Sequence, residues 1–149
     1  MRFYHSQNEM PINTMAVAMI LEKIKACVID GHYVLSMGDK RIENRLFMDE
    51  YNIRTDKVKR IILNLSTKDF CGAVRNVHPG YEHEILYIFV PRVILTNSLD
   101  EDEEVAIYIK INLLEQDNKA IIISFHKANK TPVYVFDDKE DSDAGHDVL

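Results

Sequence analysis

The amino-acid sequence predicts an α+β fold in which N-terminal helices pack on one face of a small antiparallel sheet. In the first half of the chain, apolar residues recur at the three- and four-residue spacing of amphipathic helices, most clearly over residues 14–30. The second half carries β-branched runs, and residues 105–125 contain two of them around a short polar turn. Helices followed by antiparallel strands indicate an α+β domain, because the apolar face of each layer must be covered.

Length and charge predict one domain with an acidic tail. The chain has 149 residues, enough for a single core, and we expect one domain over residues 1–136. Residues 137–149 contain six acids and one lysine, which is typical of a disordered tail. That tail and residues 100–104 each carry a net charge of −5, so the remainder carries +4 although the whole chain carries −6. The acidic segments are interpreted as solvated or, alternatively, as screens for a basic surface.

The sequence shows neither a membrane segment nor a cofactor motif. No apolar run approaches the roughly 18 residues that span a bilayer, and the N-terminus lacks a signal-peptide cleavage pattern. We therefore expect a cytoplasmic protein with no membrane partner. Cys27 and Cys71 are isolated, which indicates reduced thiols. His78 and His83 flank a Pro-Gly turn and are interpreted as loop residues, so no cofactor and no metal site are expected.

The first half predicts four helices and a short strand. A cap at Asn13 or Thr14 begins the first helix, and Gly31 ends it. Residues 66–69 have the pattern of a capping box, which predicts a short helix over 67–74. The other elements are a strand over 32–37, a helix over 40–50 with Ile42, Leu46 and Phe47 or Tyr51 facing inward, and a helix over 57–65 with Val58, Ile61, Ile62 and Leu65 in the core.

The second half predicts strands. A long strand over 84–96 contains Pro91, which removes one ladder donor and indicates an edge or a bulge there. The acidic residues 100–104 are predicted to form a loop ahead of the hairpin, which turns at 115–119, and 133–136 to form a last strand. Because side chains alternate across a strand, one face of the hairpin is apolar and the other polar. The apolar face carries Ile107, Ile109 and Ile111, and the polar face carries Tyr108, Lys110 and Asn112.

The polar face of the hairpin is the candidate working surface. Tyr108 and Lys110 lie on it, and Ser124 and His126 share a face of the return strand. Lysine and arginine neutralise phosphates, while tyrosine and histidine stack on bases or transfer protons. Phosphate-binding glycine loops, zinc motifs and nucleophile elbows do not occur in the sequence. These residue types favour RNA binding or metal-independent RNA cleavage, with a merely solvated sheet face as the alternative.

Several segments resemble the motility quorum-sensing regulator (MqsR) toxins in the same order along the chain. They are residues 29–34 (IDGHYV), 61–74 (IILNLSTKDFCGAV), 90–93 (VPRV), 107–112 (IYIKIN) and 122–127 (IISFHK). The likeness runs from about Leu21 to Lys127. It implies a RelE-like microbial ribonuclease fold and the activity of a type II toxin, a metal-independent mRNA endoribonuclease that inhibits translation. The implied partners are mRNA and a cognate antitoxin protein, with the ribosome left open.

The resemblance also implies a set of site residues. Tyr108 matches an active-site tyrosine, and His126 stands where the family has a lysine. With Lys110 they form the hypothetical catalytic group, and the predicted RNA-binding cations are Lys68, Arg75, Arg92 and Lys127. Two family positions differ, because Cys71-Gly72 replaces a Tyr-Lys pair and no glutamine stands near Leu86 or Tyr87. The alternative is therefore a catalytically impaired RNA- or protein-binding module on the same fold.

Overall fold

The computed structural model describes residues 9–136 and confirms the α+β class. Within that range, three α-helices accompany a sheet of seven strands. The helices are α1 (Thr14–Ile29), α2 (Ile42–Glu50) and α3 (Thr55–Leu63). The strands are β1 (Glu9–Met10), β2 (Tyr33–Leu35), β3 (Phe70–Arg75), β4 (Ile85–Phe89), β5 (Arg92–Thr96), β6 (Asp102–Leu114) and β7 (Lys119–Lys127). The predicted tail over 137–149 lies outside the described residues.

The sheet is mixed, so the prediction of a purely antiparallel sheet is wrong at one edge. Its strand order is β1-β3-β4-β6-β7-β2, and β5 pairs with β6. The edge strand β2 runs parallel to β7, with Tyr33 opposite Ala120. A strand of three residues carries no pattern that reveals the direction of a partner far along the chain. No helix within residues 9–136 has the length and apolarity needed to cross a membrane.

The predicted interruption at Pro91 is confirmed. Strands β4 and β5 keep one continuous register against β6, with Phe89 opposite Ile109 and Arg92 opposite Ala106. Between them the Val90 amide instead donates to the Asp69 carbonyl at 2.8 Å. Pro91 has no amide hydrogen to donate, so the hydrogen bonds to β6 are interrupted there. The register against β6 is the same on both sides of the interruption.

Helix α1 begins and ends as predicted. The Asn13 side chain accepts a hydrogen bond from the Ala16 amide at 2.8 Å, which caps the helix. Gly31 follows the helix at a φ of 80°, and the His32 amide returns to the Cys27 carbonyl at 2.8 Å. This bond closes the helix in a Schellman arrangement, which needs a left-handed residue at the glycine position.

The predicted inward face of the second helix is partly wrong. Phe47 and Tyr51 are buried as expected, but Ile42 is 53% exposed and Leu46 is 60% exposed. The buried position beside the sheet is taken by Asn44, which is 1% exposed. The spacing of apolar residues does not predict the buried face of a helix when the central residue of that face is polar. The third helix, by contrast, buries Val58, Ile61 and Ile62 as predicted, and Leu65 is also buried, although it lies beyond the end of the helix.

The predicted helix over 67–74 is wrong. The capping box at its start does form, because the Ser66 amide donates to the Asp69 carboxylate at 2.9 Å and the Lys68 amide donates to the Ser66 hydroxyl at 3.2 Å. It caps only a single 3-10 turn, Thr67–Asp69, and the chain then continues as β3. Pairing with β1 and β4 buries Phe70 in the core, and this long-range contact overrides the local helical signal.

The central hairpin β6–β7 carries the core. Ile107, Ile109 and Ile111 are fully buried on the face that packs against the helices, as predicted. The acidic residues 102–104 belong to β6 rather than to a loop, and the turn before them is shorter than expected. Thr96 donates to the Asp102 carboxylate at 2.8 Å across this turn, so the strand pairing extends into the acidic run.

Candidate functional site

A β-bulge in β7 brings the polar residues of the hairpin onto one face. Lys110 pairs with Ser124, but Ile111 pairs with Ile122, so one extra residue, Ile123, stands in β7. An extra residue reverses the face on which the following side chains lie. Ile122 on one side of the bulge and Phe125 on the other can both enter the core, while His126 joins Tyr108 on the opposite face.

The buried Asn44 of α2 holds this bulge in place. Its amide nitrogen donates to the Ile123 carbonyl at 3.0 Å and to the Ser36 carbonyl at 2.8 Å. Its carbonyl oxygen accepts from the Phe125 amide at 2.9 Å. Where β2 has ended, the Asn44 side chain makes the hydrogen bonds to the β7 backbone that a neighbouring strand would otherwise make. The same bonds bring the first turn of α2 to the polar face.

Tyr108 and His126 form the centre of the polar face. They pair directly across β6 and β7, with ring centroids 5.4 Å apart and ring planes 24° from parallel. His126 Nδ1 lies 3.0 Å from the Lys127 carbonyl oxygen, which can only accept, so Nδ1 carries a hydrogen. The other nitrogen, Nε2, lies 3.9 Å from a Glu43 carboxylate oxygen. Nε2 is therefore the nitrogen that can exchange a proton with a substrate.

Lys110 lies next along the same face, opposite Ser124, which is 4% exposed. Burial lowers the pKa of the Lys110 ammonium, and the nearby positive charge of Arg41 lowers it further. Two cations thus lie close together on a partly buried surface. Such an arrangement costs the protein stability and favours the binding of an anion.

The far end of the polar face is structural. Asn112 is 6% exposed, and its amide donates to a Glu84 carboxylate oxygen at 2.8 Å. Asn76 donates to the same oxygen at 3.1 Å. The Glu84 carboxylate thus links Asn112 on β6 to Asn76, which follows β3, and stabilises this end of the sheet.

Residues 128–136, here called the strap, continue from β7 and cross the polar face. They do not form the strand predicted over 133–136. The Tyr134 hydroxyl donates to the Val90 carbonyl at 2.7 Å, and the Val135 amide donates to the Phe70 carbonyl at 3.0 Å. Phe136 stacks on Phe70 with centroids 5.6 Å apart. The strap is attached by side-chain and edge contacts, which a strand pattern does not reveal.

A pocket of about 280 Å³ lies between the strap and the polar face. Tyr108 and His126 line it on the sheet side together with Cys71, at the position where the resembled family carries a Tyr-Lys pair. Its remaining lining residues are Ile88 and Val90 from the sheet and Ala128, Asn129, Lys130, Thr131, Pro132 and Val133 from the strap. The pair Tyr108–His126 thus lines a pocket that is partly open to solvent.

Of the four predicted phosphate-binding cations, Arg92 lies on the polar face. It pairs with Ala106, which shares a face with Tyr108, and its guanidinium lies near the Tyr134 phenol. Lys68 is exposed in the 3-10 turn before β3 and does not line the pocket. A role for Lys68 in RNA binding would therefore require an RNA that extends beyond the pocket.

Arg75 and Lys127 lie on the face of the sheet opposite to Tyr108 and Lys110, and their role in RNA binding stays a prediction. Arg75 pairs with Ile85, and its guanidinium lies 3.5 Å from the Glu82 carbonyl. Lys127 pairs with Ile107, and its ammonium lies 5.2 Å from the centre of the Tyr51 ring. A hydrogen bond with the Tyr51 phenol raises the pKa of Lys127. The bulge explains the position of Lys127, because it determines which of His126 and Lys127 faces the helices.

Sequence reasoning missed the residues that α2 and the strap contribute. Arg41 and Glu43 lie near Lys110 and His126, beside Asn44, which hydrogen-bonds α2 to β7. The signal in the sequence that could have revealed them is Asn44, a polar residue within the first turn of an otherwise amphipathic helix. Within residues 9–136, no three His, Cys, Asp or Glu side chains gather as a possible metal site.

Comparisons with known proteins give no relative from which a role of these residues could be inferred. No protein-family model, no curated protein and no solved structure matches this chain.

Proposed function

We propose that this chain is a metal-independent endoribonuclease, a toxin of a type II toxin–antitoxin system with the RelE-like fold of the MqsR toxins. The observation that carries the proposal is the contact between Tyr108 and His126, two proton-transfer groups whose rings lie 5.4 Å apart at the pocket. Lys110, Arg41 and Arg92 supply positive charge on the same side of the sheet. Its partners would be mRNA and a cognate antitoxin in the cytoplasm.

The proposed reaction divides the chemistry between the two rings. His126 Nε2 takes the proton from a ribose 2′-hydroxyl, whose oxygen attacks the adjacent phosphorus. The bond from phosphorus to the 5′ oxygen breaks, and the Tyr108 phenol protonates that oxygen. Lys110 stabilises the negative charge that develops on the phosphoryl oxygens. The products are a 2′,3′-cyclic phosphate and a 5′-hydroxyl end.

The experiment is cleavage of a single-stranded RNA by the purified protein in the presence of EDTA. The double variant Tyr108→Phe/His126→Ala should lose at least about 10²-fold in rate, since each positioned proton-transfer group contributes roughly 10²–10⁴-fold. Expression of the wild-type chain should arrest growth, and the double variant should not. Cleavage that survives in the double variant would remove Tyr108 and His126 from the assignment.

A specific observation favours the second candidate, a module that binds RNA or protein without cutting. The Glu43 carboxylate lies 3.9 Å from His126 Nε2, and Cys71-Gly72 offers no cation at the pocket. Glu43 would compete with a phosphate for that nitrogen. RNA binding without cleavage by the wild-type protein would support this candidate, and detectable cleavage would exclude it.

A further inference from the structure

The strap and the sheet together form a site with an apolar surface on each side, which suits a flat ligand. Ile88 and Val90 supply an apolar surface on the sheet side, and Pro132 and Val133 supply one on the strap side. The pocket between them is about 280 Å³, just below the roughly 300–1,000 Å³ of small-molecule sites. It therefore accepts a ligand of one or two rings rather than a longer one.

The edges of the same pocket are polar. Asn129 and Thr131 are exposed on the strap and line the pocket, so their amide and hydroxyl groups can hydrogen-bond the edge of a ring. Lys130 lies between them and brings a positive charge. Apolar faces, polar edges and a nearby cation match a nucleobase attached to a phosphate, since proteins recognise unpaired bases by stacking and by bonds to their edges.

The strap holds its position through contacts outside the pocket. Tyr134 donates to the Val90 carbonyl at 2.7 Å, and Phe136 stacks on Phe70 with ring planes 18° apart. These anchors follow the pocket-lining residues directly along the chain. The binding surface is therefore arranged before a ligand arrives, which reduces the ordering cost of binding and favours selectivity.

We propose that this pocket binds a single nucleobase of the RNA and that the strap selects which base is accepted. The proposal rests on the proposed ribonuclease function, because it places the bound base beside the bond that Tyr108 and His126 would cleave. The strap lies beyond Lys127, where the resemblance to MqsR toxins ends, so that resemblance implies nothing about its selecting groups.

The test measures binding of the ribonucleoside 3′-monophosphates of A, C, G and U to the full-length protein by NMR titration. The wild type should bind one of them about tenfold more tightly than the least favoured. Asn129→Ala should reduce that preference about 3- to 10-fold, the effect of one hydrogen bond. The control Gln116→Ala removes an exposed amide at the other end of the hairpin and should leave the preference unchanged.

A second variant, Ala128→Phe, fills the pocket and should weaken binding of all the nucleotides more than about tenfold. Equal affinities for all bases, or a base preference that survives both strap variants, would overturn the proposal. The Asn129→Ala result does not depend on whether the filled variant folds, because Asn129 is exposed. Base-selective binding without RNA cleavage would overturn only the ribonuclease function, and cleavage without base preference would overturn only the pocket.

Discussion

Tyr108 and His126 face each other across β6 and β7, with ring centroids 5.4 Å apart, because a single extra residue in β7 places His126 on the face of Tyr108. If the side chains of β7 alternated regularly from Ile122 to His126, with no bulge, His126 would lie on the face of Ile122, among the core side chains. The candidate site therefore depends on a backbone irregularity, and the irregularity depends on Asn44.

The first prediction concerns Asn44, which makes three hydrogen bonds while 1% exposed. Asn44→Ala should lower the free energy of unfolding by about 3 kcal/mol, because buried backbone groups left unpaired cost roughly 1–3 kcal/mol each. Urea denaturation measures this change. The exposed Asn64→Ala is the control and should change stability by less than about 0.5 kcal/mol. Equal effects of the two variants would contradict the role given to Asn44.

The second prediction concerns Lys110, whose pKa is lowered by burial and by Arg41. Between its lowered and its ordinary pKa the unfolded chain binds more protons, so stability rises with pH there, and at neutral pH the charge is a cost to the folded state. Lys110→Met should therefore raise the free energy of unfolding by roughly 0.5–2 kcal/mol and reduce RNA cleavage. The matched variant Lys57→Met should do neither. A less stable Lys110→Met protein would argue that Lys110 serves the fold.

The third prediction separates the two faces of the sheet with a pair of arginines. In a Tyr108→Phe background that keeps the RNA intact, Arg92→Ala should weaken binding to a labelled single-stranded RNA. It should also reduce the slope of log K against log salt by about one phosphate contact. Arg75→Ala should leave both quantities unchanged, because Arg75 pairs with Ile85 on the opposite face. Fluorescence anisotropy over a salt series measures both, and equal losses would show that the RNA does not select the Arg92 face.

The fourth prediction concerns the anchor of the strap. Burial, then the nearby Cys71 thiol, raises the pKa of Tyr134 to about 12. Between the ordinary tyrosine value of about 10 and that value the folded state binds more protons, so its stability falls as pH rises. Tyr134→Phe should cost about 1 kcal/mol at pH 8 through the lost bond to Val90, and should make stability less dependent on pH above 10.

Urea denaturation at pH 8 and at pH 11 gives both quantities for Tyr134→Phe. Tyr81→Phe is the control, because Tyr81 is 49% exposed and lies in a loop. If the two variants showed the same dependence on pH, Tyr134 would not be the buried anchor of the strap.

Residues with strong local patterns were predictable from the sequence. The alternation of Ile107, Ile109 and Ile111 identified the buried face of β6, and Asn13 and Gly31 identified the ends of α1. Tyr108 and His126 could be grouped because each lies on a polar face of its own strand. In these cases the physical cause, alternation or capping, acts within a few neighbouring residues.

The features of the fold and of the candidate site that could not be predicted depend on contacts between distant parts of the chain. The capping box at Ser66 is real but local, and pairing of Phe70 with β4 determines that a strand follows it. Arg41 reaches Lys110, and Tyr134 reaches Val90, only through the tertiary arrangement. The face on which Lys127 lies could not be predicted for the same reason, since the bulge that sets it is stabilised by a different part of the chain, α2.

The most direct measurement compares an RNA with the same RNA carrying a 2′-deoxy nucleotide at the cleaved position, both in EDTA. The wild-type protein should cut the RNA, leave a 2′,3′-cyclic phosphate, and leave the deoxy-substituted strand intact. Tyr108→Phe should slow the cleavage at least about 10²-fold, and Tyr81→Phe should not. Cleavage of the deoxy-substituted strand, or an intact RNA under every condition, would contradict the ribonuclease assignment of Tyr108 and His126.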